Sequence, residues 1–235
     1  MIAPLYLLAD SRLLFPPVGN SFTAEIRSSI SNPNPRAAYI GASNGDRAEF
    51  YELFVAAMQS MEISHCRMVP SQPSNEDREF LEQADLILLA GGEVEHGWRV
   101  FERNGVRDII VKKRYDGAIL VGVSAGAVQL GRGAFTEAAQ PKHLATFGFA
   151  PFYVGAHEEK HEEKEEWWNL RALVTMSQPG ACGIGIPAGG GAIYRPDGTL
   201  EPVREPLTEL LKEGDAVRER LIAPLPAGEV GVSPH

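Results

Sequence analysis

Residues 120–127 read LVGVSAGA, an apolar run that leads into the pattern G-x-S-x-G and then into further small residues. The run predicts a buried strand, and the residues after Ser124 predict the first turn of a helix. A serine at such a turn lies on a tight elbow, and glycines two positions to either side make room for its strained backbone. The stretch favours an α/β fold that presents Ser124 as a nucleophile, with the Ala125 amide facing a developing oxyanion. A plain strand end with small residues for close helix packing is the alternative interpretation.

The N-terminal half of the chain repeats this strand-then-helix rhythm. Apolar runs predict strands at Leu5–Ala9, Ala37–Gly41, Cys66–Val69, Leu86–Ala90 and Ala118–Val123. Helical spacing predicts helices at Arg47–Met61 and Val106–Tyr115. Residues 86–90 show no polar alternation, as expected of a central strand covered on both faces. These patterns predict a three-layer α/β sandwich with a mostly parallel central sheet.

The C-terminal part of the chain follows a different pattern. We predict a strand at Phe152–Val154, a long helix from about Glu158 to Met176, and a hairpin that joins residues 192–194 to 200–203 through the turn sequence RPDG. Pro202 confines its strand to a sheet edge. Residues from about 221 onward hold several prolines and glycines and predict an irregular tail. No break in composition divides the chain, so residues 1–235 are predicted to form one domain.

Composition and charge narrow the classes of function. The chain has 31 acidic and 22 basic residues and a net charge of −9, which disfavours binding to a phosphate backbone. Nucleic acid is therefore not an expected partner. No apolar run reaches the roughly 20 residues that span a bilayer, and the N-terminus lacks the pattern of a signal peptide. We expect a cytoplasmic protein that does not insert into a membrane.

Cysteine and histidine positions limit the chemistry further. The two cysteines, Cys66 and Cys182, lack metal-ligand spacing and are interpreted as buried free thiols. An α/β-hydrolase would place its histidine late, after further strands and an acid. Here His157 follows Ser124 too closely for that topology, and no HGGG-type loop precedes the serine.

Several motifs in a fixed order carry a more specific signal. They are AAYIG at 37–41, LLAGG at 88–92, GVSAGA at 122–127, FGFAPF at 147–152 leading to His157, and GIGIP at 183–187. Together they resemble the dipeptidase E and cyanophycinase group of serine peptidases, from about residue 35 to residue 203. The resemblance implies the class I glutamine amidotransferase-like fold.

The resemblance also implies roles for individual residues. Ser124 would be the nucleophile, and His157 would be the general base. Gly92 and Ala125 would offer backbone N–H groups to the oxyanion. Relatives place a carboxylate between the serine and the histidine, and Glu137 is the only acid in that interval. The implied activity is hydrolysis of short peptides through a Ser-His-acid triad and a covalent acyl-enzyme, without a cofactor.

Substrate recognition is where the chain departs from this group. The segment Glu93-Val94-Glu95 stands where relatives often have Asn-Thr or Asp-Gln after the two glycines, so Gly91 and Glu93 are candidates for substrate contact. Relatives that cleave after aspartate need a cation. The helix after His157 is rich in glutamate, and Arg171 is the candidate anchor for an α-aspartyl preference. His161 is a further residue placed to touch the substrate.

Two other functions and one assembly remain open from the sequence. Residues 157–161 read HEEKH, which matches the H-E-x-x-H pattern of zinc hydrolases, although the residues around it are charged where a zincin helix is apolar. A catalytically inactive binding or regulatory protein on the same fold is the other alternative. Trp167 and Trp168 are adjacent and so face different sides of a helix. An exposed tryptophan there would favour a homodimer.

Overall fold

Five parallel strands form most of the seven-stranded sheet that is the largest in the protein. The computed structural model describes residues 2–15, 21–137, 139–157 and 166–224. The strands are β1 (Leu5–Leu8), β2 (Arg36–Ile40), β3 (His65–Val69), β4 (Leu86–Leu89) and β5 (Ile119–Val123). Their order in the sheet is β1-β5-β4-β2-β3, and every neighbouring pair is parallel. All five strands predicted from apolar runs are confirmed, including β4 as a fully buried strand with partners on both sides.

An antiparallel hairpin extends this sheet beyond β1. Strands β10 (Gly191–Tyr194) and β11 (Leu200–Val203) pair with each other, and β10 pairs with β1. The predicted hairpin is therefore confirmed. Pro202 lies in β11, the last strand on that side, where its missing N–H costs no ladder hydrogen bond.

Helices cover both faces of the sheet because its side chains alternate between two apolar clusters. The helices are α1 (Ser21–Ser28), α2 (Ala48–Ser60), α3 (Asn75–Glu82), α4 (Val94–Asn104), α5 (Val106–Tyr115), α6 (Ala125–Leu130) and α7 (Trp168–Met176). Side chains of α1 and α2 join one cluster, with Tyr6 and Leu8 of β1. Side chains of α3 to α6 join the other, with Leu5 and Leu7. This arrangement confirms the three-layer sandwich. None of the described helices is long and apolar enough to cross a membrane.

A second sheet packs at the side of α6 and brings in the segment that ends at His157. Its strands are β8 (Tyr153–Ala156), β9 (Cys182–Ile186), β12 (Leu207–Glu213) and β13 (Ala216–Ile222), in the order β13-β12-β9-β8. Two short strands, β6 (Gly133–Phe135) and β7 (His143–Ala145), form a separate pair. Val154, Ile184 and Leu207 of the second sheet belong to the same apolar cluster as Leu5 and Leu7 of β1.

Helix α7 covers the second sheet through Trp167 and Leu170. The Trp167 ring is 3% exposed and lies so close to Gly155 and Gly185 that a Cβ at either glycine would meet it within 3.1 Å. Trp168, the next residue, is 49% exposed. Only Trp167 therefore belongs to the core, as the adjacency of the two residues predicted.

The structure corrects two boundaries and adds elements that the sequence patterns did not predict. The prediction of one long helix from about Glu158 to Met176 is wrong at Trp167. That residue has a left-handed φ of 63°, and α7 begins only after it. Residues 158–165 lie outside the described residues. The predicted start of the irregular tail, at about residue 221, is wrong because β13 continues to Ile222. Residues 225–235 are outside the described part. Helices α3 and α4 and the hairpin β12–β13 were not predicted. The division into one domain stays a prediction.

Both cysteines are free and partly buried. The interpretation as free thiols is confirmed, whereas full burial is wrong, since each side chain retains some contact with solvent. Burial raises the pKa of Cys66 and of Cys182 to about 11. Both thiols therefore stay protonated and weakly nucleophilic at neutral pH.

The two tryptophans provide a matched test of this packing. We expect Trp167→Ala to lower the free energy of unfolding by about 3–5 kcal/mol, because it leaves a cavity against the glycines of β8 and β9. We expect Trp168→Ala to lower it by about 1 kcal/mol or less, because half of that side chain is in solvent. Urea unfolding followed by circular dichroism measures both values. Equal losses from the two substitutions would contradict this account of α7.

Candidate active site

Ser124 lies on the elbow between β5 and α6 in a backbone conformation that few residues adopt. Its φ is 51° and its ψ is −112°, outside the ordinary helical and strand regions. Such a conformation costs on the order of 1–3 kcal/mol and persists only where surrounding contacts hold it. Here the Ser124 N–H donates to the Leu8 carbonyl at 2.8 Å, and the Ser124 carbonyl accepts from the N–H of Ala127 at 2.9 Å.

The two glycines of the G-x-S-x-G pattern allow α6 to approach the sheet. A Cβ at Gly122 would lie 2.6 Å from the Ala127 nitrogen. A Cβ at Gly126 would lie 2.1 Å from the Leu89 carbonyl oxygen. Both distances are far shorter than a van der Waals contact, so only glycine fits at either position. The elbow geometry is therefore a direct consequence of this short sequence pattern.

His157 reaches Ser124 from the end of β8. Its N–H donates to the Ile186 carbonyl at 2.9 Å, which continues the parallel pairing of β8 with β9 by one residue. Its Nε2 atom lies 2.7 Å from Ser124 Oγ. This distance is within the ~2.6–3.2 Å that a nucleophile and its base require. The backbone of His157 has a φ of 42°, so the histidine, like the serine, occupies a strained position.

The Gly91-Gly92 turn after β4 lies directly beside the serine. A Cβ at Gly91 would come within 3.2 Å of the Ser124 Cβ. Gly92 has a φ of 134°, and a Cβ there would lie 2.0 Å from the Ser43 carbonyl oxygen, which also accepts from the Glu93 N–H at 2.7 Å. Among the described residues, neither the Gly92 N–H nor the Ala125 N–H donates to a protein group. The role of these two N–H groups as an oxyanion hole stays a prediction.

Ser43 and Gln129 support this turn and were missed by the sequence analysis. Gln129 is fully buried on α6, and its Nε2 donates to Ser43 Oγ at 3.1 Å and to the Val94 carbonyl at 3.0 Å. These hydrogen bonds connect the elbow helix to the glycine turn. The sequence feature that could have revealed them is a single glutamine, Gln129, among the small and apolar residues of the helix that follows Ser124.

A cleft of about 650 Å³ opens at Ser124 and His157. Much of its lining is apolar and comes from the segment after β1, from β2 and from α2. Its large apolar and aromatic lining residues include Leu14, Phe15, Tyr39, Phe50, Leu53 and Phe54. The volume is in the range of pockets that bind small molecules.

Charged side chains and a second histidine also line this cleft. Asp10 accepts from Arg12 and from the Gly189 N–H at 2.7 Å. Burial raises the pKa of Asp10, but these hydrogen bonds outweigh it and hold the pKa below its usual value. Arg47 forms an ion pair with Glu49, and its guanidinium carbon lies 5.0 Å from the centre of the Phe50 ring. Glu93 and His96 complete the set.

Three other residues predicted for the site lie elsewhere or outside the described part. Glu137 is exposed, and its N–H donates to Glu95 Oε2 at 2.8 Å. Among the described residues no carboxylate contacts the His157 ring. Arg171 lies on α7, pairs with Glu219 of β13 and is not part of the cleft lining. His161, which would be the second histidine of a zinc site, lies outside the described residues.

The fold and this geometry define a class: an α/β protein with a serine on a strand-to-helix elbow and a histidine in hydrogen-bond contact with it. Comparison with known proteins agrees. The model of peptidase family S51 matches residues 5–202. The chain belongs to this family, the dipeptidase E family of serine peptidases. The resemblance inferred from the sequence motifs is confirmed.

Individual relatives are distant. The chain is 25% identical over 134 residues to the uncharacterized peptidase YgaJ of Bacillus subtilis (strain 168), and the match spans 54% of this chain and 58% of that protein. The structure of a peptidase from an acI-B1 Actinobacterium superposes with a TM-score of 0.69 and 18% identity, over 97% of this chain and 96% of that one. A putative peptidase E protein from Listeria monocytogenes EGD-e gives a TM-score of 0.60 and 17% identity, over 95% and 100%. These structures share the fold.

Gly126 provides a test of the elbow. We expect Gly126→Ala to lower the free energy of unfolding by at least about 3 kcal/mol, because the new methyl group forces α6 away from Leu89. Gly214→Ala is the control, since Gly214 has a φ of 62° with open space around it, and left-handed backbone alone costs about 1 kcal/mol. Urea unfolding measures both. A Gly126→Ala protein no less stable than the control would contradict the close approach of α6 to β4.

Proposed function

We propose that this protein is a serine peptidase that hydrolyses short peptides, with Ser124 as the nucleophile and His157 as the general base. The observation that carries the proposal is the 2.7 Å distance between Ser124 Oγ and His157 Nε2 in the lining of an open cleft. Membership of family S51 supports the same chemistry.

The proposed reaction is acyl transfer through a covalent ester on Ser124. His157 Nε2 accepts the Ser124 hydroxyl proton as Oγ attacks the scissile carbonyl carbon. The N–H groups of Gly92 and Ala125 donate to the oxygen of the tetrahedral intermediate, and each such donor is worth roughly 3–4 kcal/mol in enzymes where it has been measured. His157 then gives the proton to the leaving amine, which leaves an ester on Ser124. Water attacks the ester with His157 again as base, and the peptide acid and free Ser124 result.

Two residues at the glycine turn are proposed to contact the substrate. Gly91 lies against Ser124, which leaves room for the substrate backbone at that point. Glu93 is exposed, lines the cleft and follows directly after Gly92. Its carboxylate is suited to the free ammonium group of a short peptide, because that group lies close to the first carbonyl. The α-aspartyl preference, by contrast, gains no support from Arg171, which pairs with Glu219 away from the cleft lining.

One observation favours a second candidate, an inactive binding protein on the same fold. The described residues place no carboxylate on the His157 ring to orient it. A reactive serine distinguishes the two candidates, since a fluorophosphonate labels an activated hydroxyl and leaves an inert one unmodified. Metal analysis of the purified protein tests the zinc hydrolase, and sedimentation tests the homodimer suggested by the tryptophan pair. Both stay predictions.

We expect Ser124→Ala to abolish hydrolysis of a dipeptide panel and labelling by a fluorophosphonate, because loss of the nucleophile in a serine peptidase costs about 10⁶-fold in kcat. Product release followed by chromatography and labelling followed by intact mass measure the two effects. The control is Ser64→Ala, an exposed serine before β3, which should retain both activities. Unchanged hydrolysis by the Ser124→Ala protein would refute the proposal.

Glu137→Gln tests the third member of the triad. The proposal keeps Glu137 in this role on the family resemblance alone, since the structure shows no contact between its side chain and the His157 ring. If Glu137 orients that ring during the reaction, kcat should fall by about 10⁴-fold, as when a triad carboxylate becomes an amide. The substitution preserves the backbone N–H that donates to Glu95, so the local structure should survive. Steady-state kinetics measure the effect. A loss of less than tenfold would assign the acid role to another residue.

A further inference from the structure

The wall of the catalytic cleft is formed by large apolar side chains that a folded protein would ordinarily bury. Phe15 is 43% exposed, Phe50 is 39% exposed and Leu53 is 46% exposed, and all three line the cleft. Phe50 and Leu53 are three residues apart on α2 and therefore lie on the same side of that helix. Clustered apolar surface of this kind marks a binding site more often than a scattered exposed residue does.

The wall is held in place by buried aromatic packing behind it. Phe54 is 3% exposed, and its ring lies 5.4 Å from that of Tyr39 on β2. Tyr39 in turn accepts a hydrogen bond from Asn44 Nδ2 at 2.9 Å. The cleft is thus a formed apolar surface in front of a packed layer, so a ligand does not need to order the wall when it binds.

The charges of the cleft disfavour an acidic side chain. Within the described lining, the one arginine is Arg47, which already pairs with Glu49. The other basic side chains of that lining are the imidazoles of His96 and His157, and no lysine is among them. Arg12, close to the cleft, is held by Asp10. The remaining carboxylates, Asp10 and Glu93, would repel a substrate aspartate. Burying an unpaired carboxylate against Phe50 and Leu53 would also cost its hydration.

We propose that this cleft selects short peptides that carry a large apolar side chain next to the scissile bond and rejects peptides with an acidic one. This proposal rests on the proposed function, because a preference in hydrolysis requires that the protein hydrolyses peptides. It replaces the α-aspartyl preference with a substrate class set by the residues that line the cleft. The exposed faces of Phe50 and Leu53 contact the apolar side chain, and Glu93 contacts the ammonium group of the same peptide.

Substrate comparison provides the first test. We expect kcat/KM for Phe-Ala or Ala-Phe, and for Leu-Ala or Ala-Leu, to exceed that for Ala-Ala by at least about tenfold, since each methylene in an apolar pocket contributes to discrimination. Asp-Ala and Ala-Asp should be cleaved more slowly than Ala-Ala. Comparing Phe-Ala with Ala-Phe, and Leu-Ala with Ala-Leu, shows whether the residue before or after the scissile bond contacts the apolar wall. Faster cleavage of the aspartyl peptides would overturn the proposal.

A matched pair of leucine variants locates the effect. Leu53→Ala should lower the ratio of kcat/KM for the preferred apolar peptide to that for Ala-Ala by about tenfold. Leu221→Ala removes a leucine that is 70% exposed on β13, outside the cleft lining, and should leave this ratio unchanged. Leu53 is 46% exposed and Leu221 is 70% exposed, so neither lies in the fully buried core and neither variant should unfold. An unchanged ratio in the Leu53→Ala protein would overturn the assignment of the wall.

Binding to the Ser124→Ala protein separates this proposal from the proposed function. Calorimetry should show that the apolar dipeptide binds at least about tenfold more tightly than Asp-Ala. If the apolar peptide binds but the parent protein hydrolyses nothing, the specificity of the cleft stands and the peptidase activity fails. If the parent hydrolyses peptides without a preference for apolar ones, the activity stands and the specificity fails. Failure of both peptides to bind also overturns the specificity.

Discussion

The structure around the active site depends on one steric constraint, the close approach of α6 to the central strands. Gly122 and Gly126 remove the two Cβ atoms that would separate the helix from β5 and β4. The backbone of Ser124 is forced into its strained conformation at the point where strand becomes helix. Its cost is offset by the hydrogen bond to Leu8 and by the first turn of α6. The serine is thereby presented at the carboxyl end of the parallel strands, where α/β proteins place their ligands.

His157 follows a strand of the second sheet, whereas Ser124 follows a strand of the first. The distance between Ser124 Oγ and His157 Nε2 therefore depends on how the two sheets pack. β8 pairs with β9, and β9 holds the His157 backbone through the Ile186 carbonyl. Side chains of β8 and β9 share an apolar cluster with β1 and α6. Trp167 fixes the opposite face of the same two strands. A change in this interior would therefore alter the Ser124–His157 contact without touching either residue.

The turn at Gly92 is joined to the elbow helix, and the cleft in front of it is lined also by other parts of the chain. Ser43 and Gln129 couple the turn at Gly92 to α6, so hydrogen bonds join the proposed oxyanion donors to the elbow that carries Ser124. The cleft in front of them is built from α2 and the segment after β1. Its large apolar side chains come from a part of the chain that contributes nothing to the reactive pair. The proposed nucleophile and base and the apolar wall of the cleft thus lie on separate elements.

The sequence by itself determined the parallel strands, the hairpin and the elbow, because each is encoded by a local pattern of apolar residues, turn residues or glycines. It also held signals that the sequence analysis missed: the capping box of Ser74 and Asp77 before α3, and the spacing of Val94, Trp98 and Phe101 in α4. β12 and β13 were harder to predict, since much of β13 is exposed and its apolar period is weak. Only the tertiary structure decided that His157 contacts Ser124, that α7 begins after Trp167, that Arg171 pairs away from the cleft lining and that Phe50 and Leu53 face the cleft. Each of these depends on which surfaces meet when two sheets and their helices pack, and no spacing along the chain records that choice.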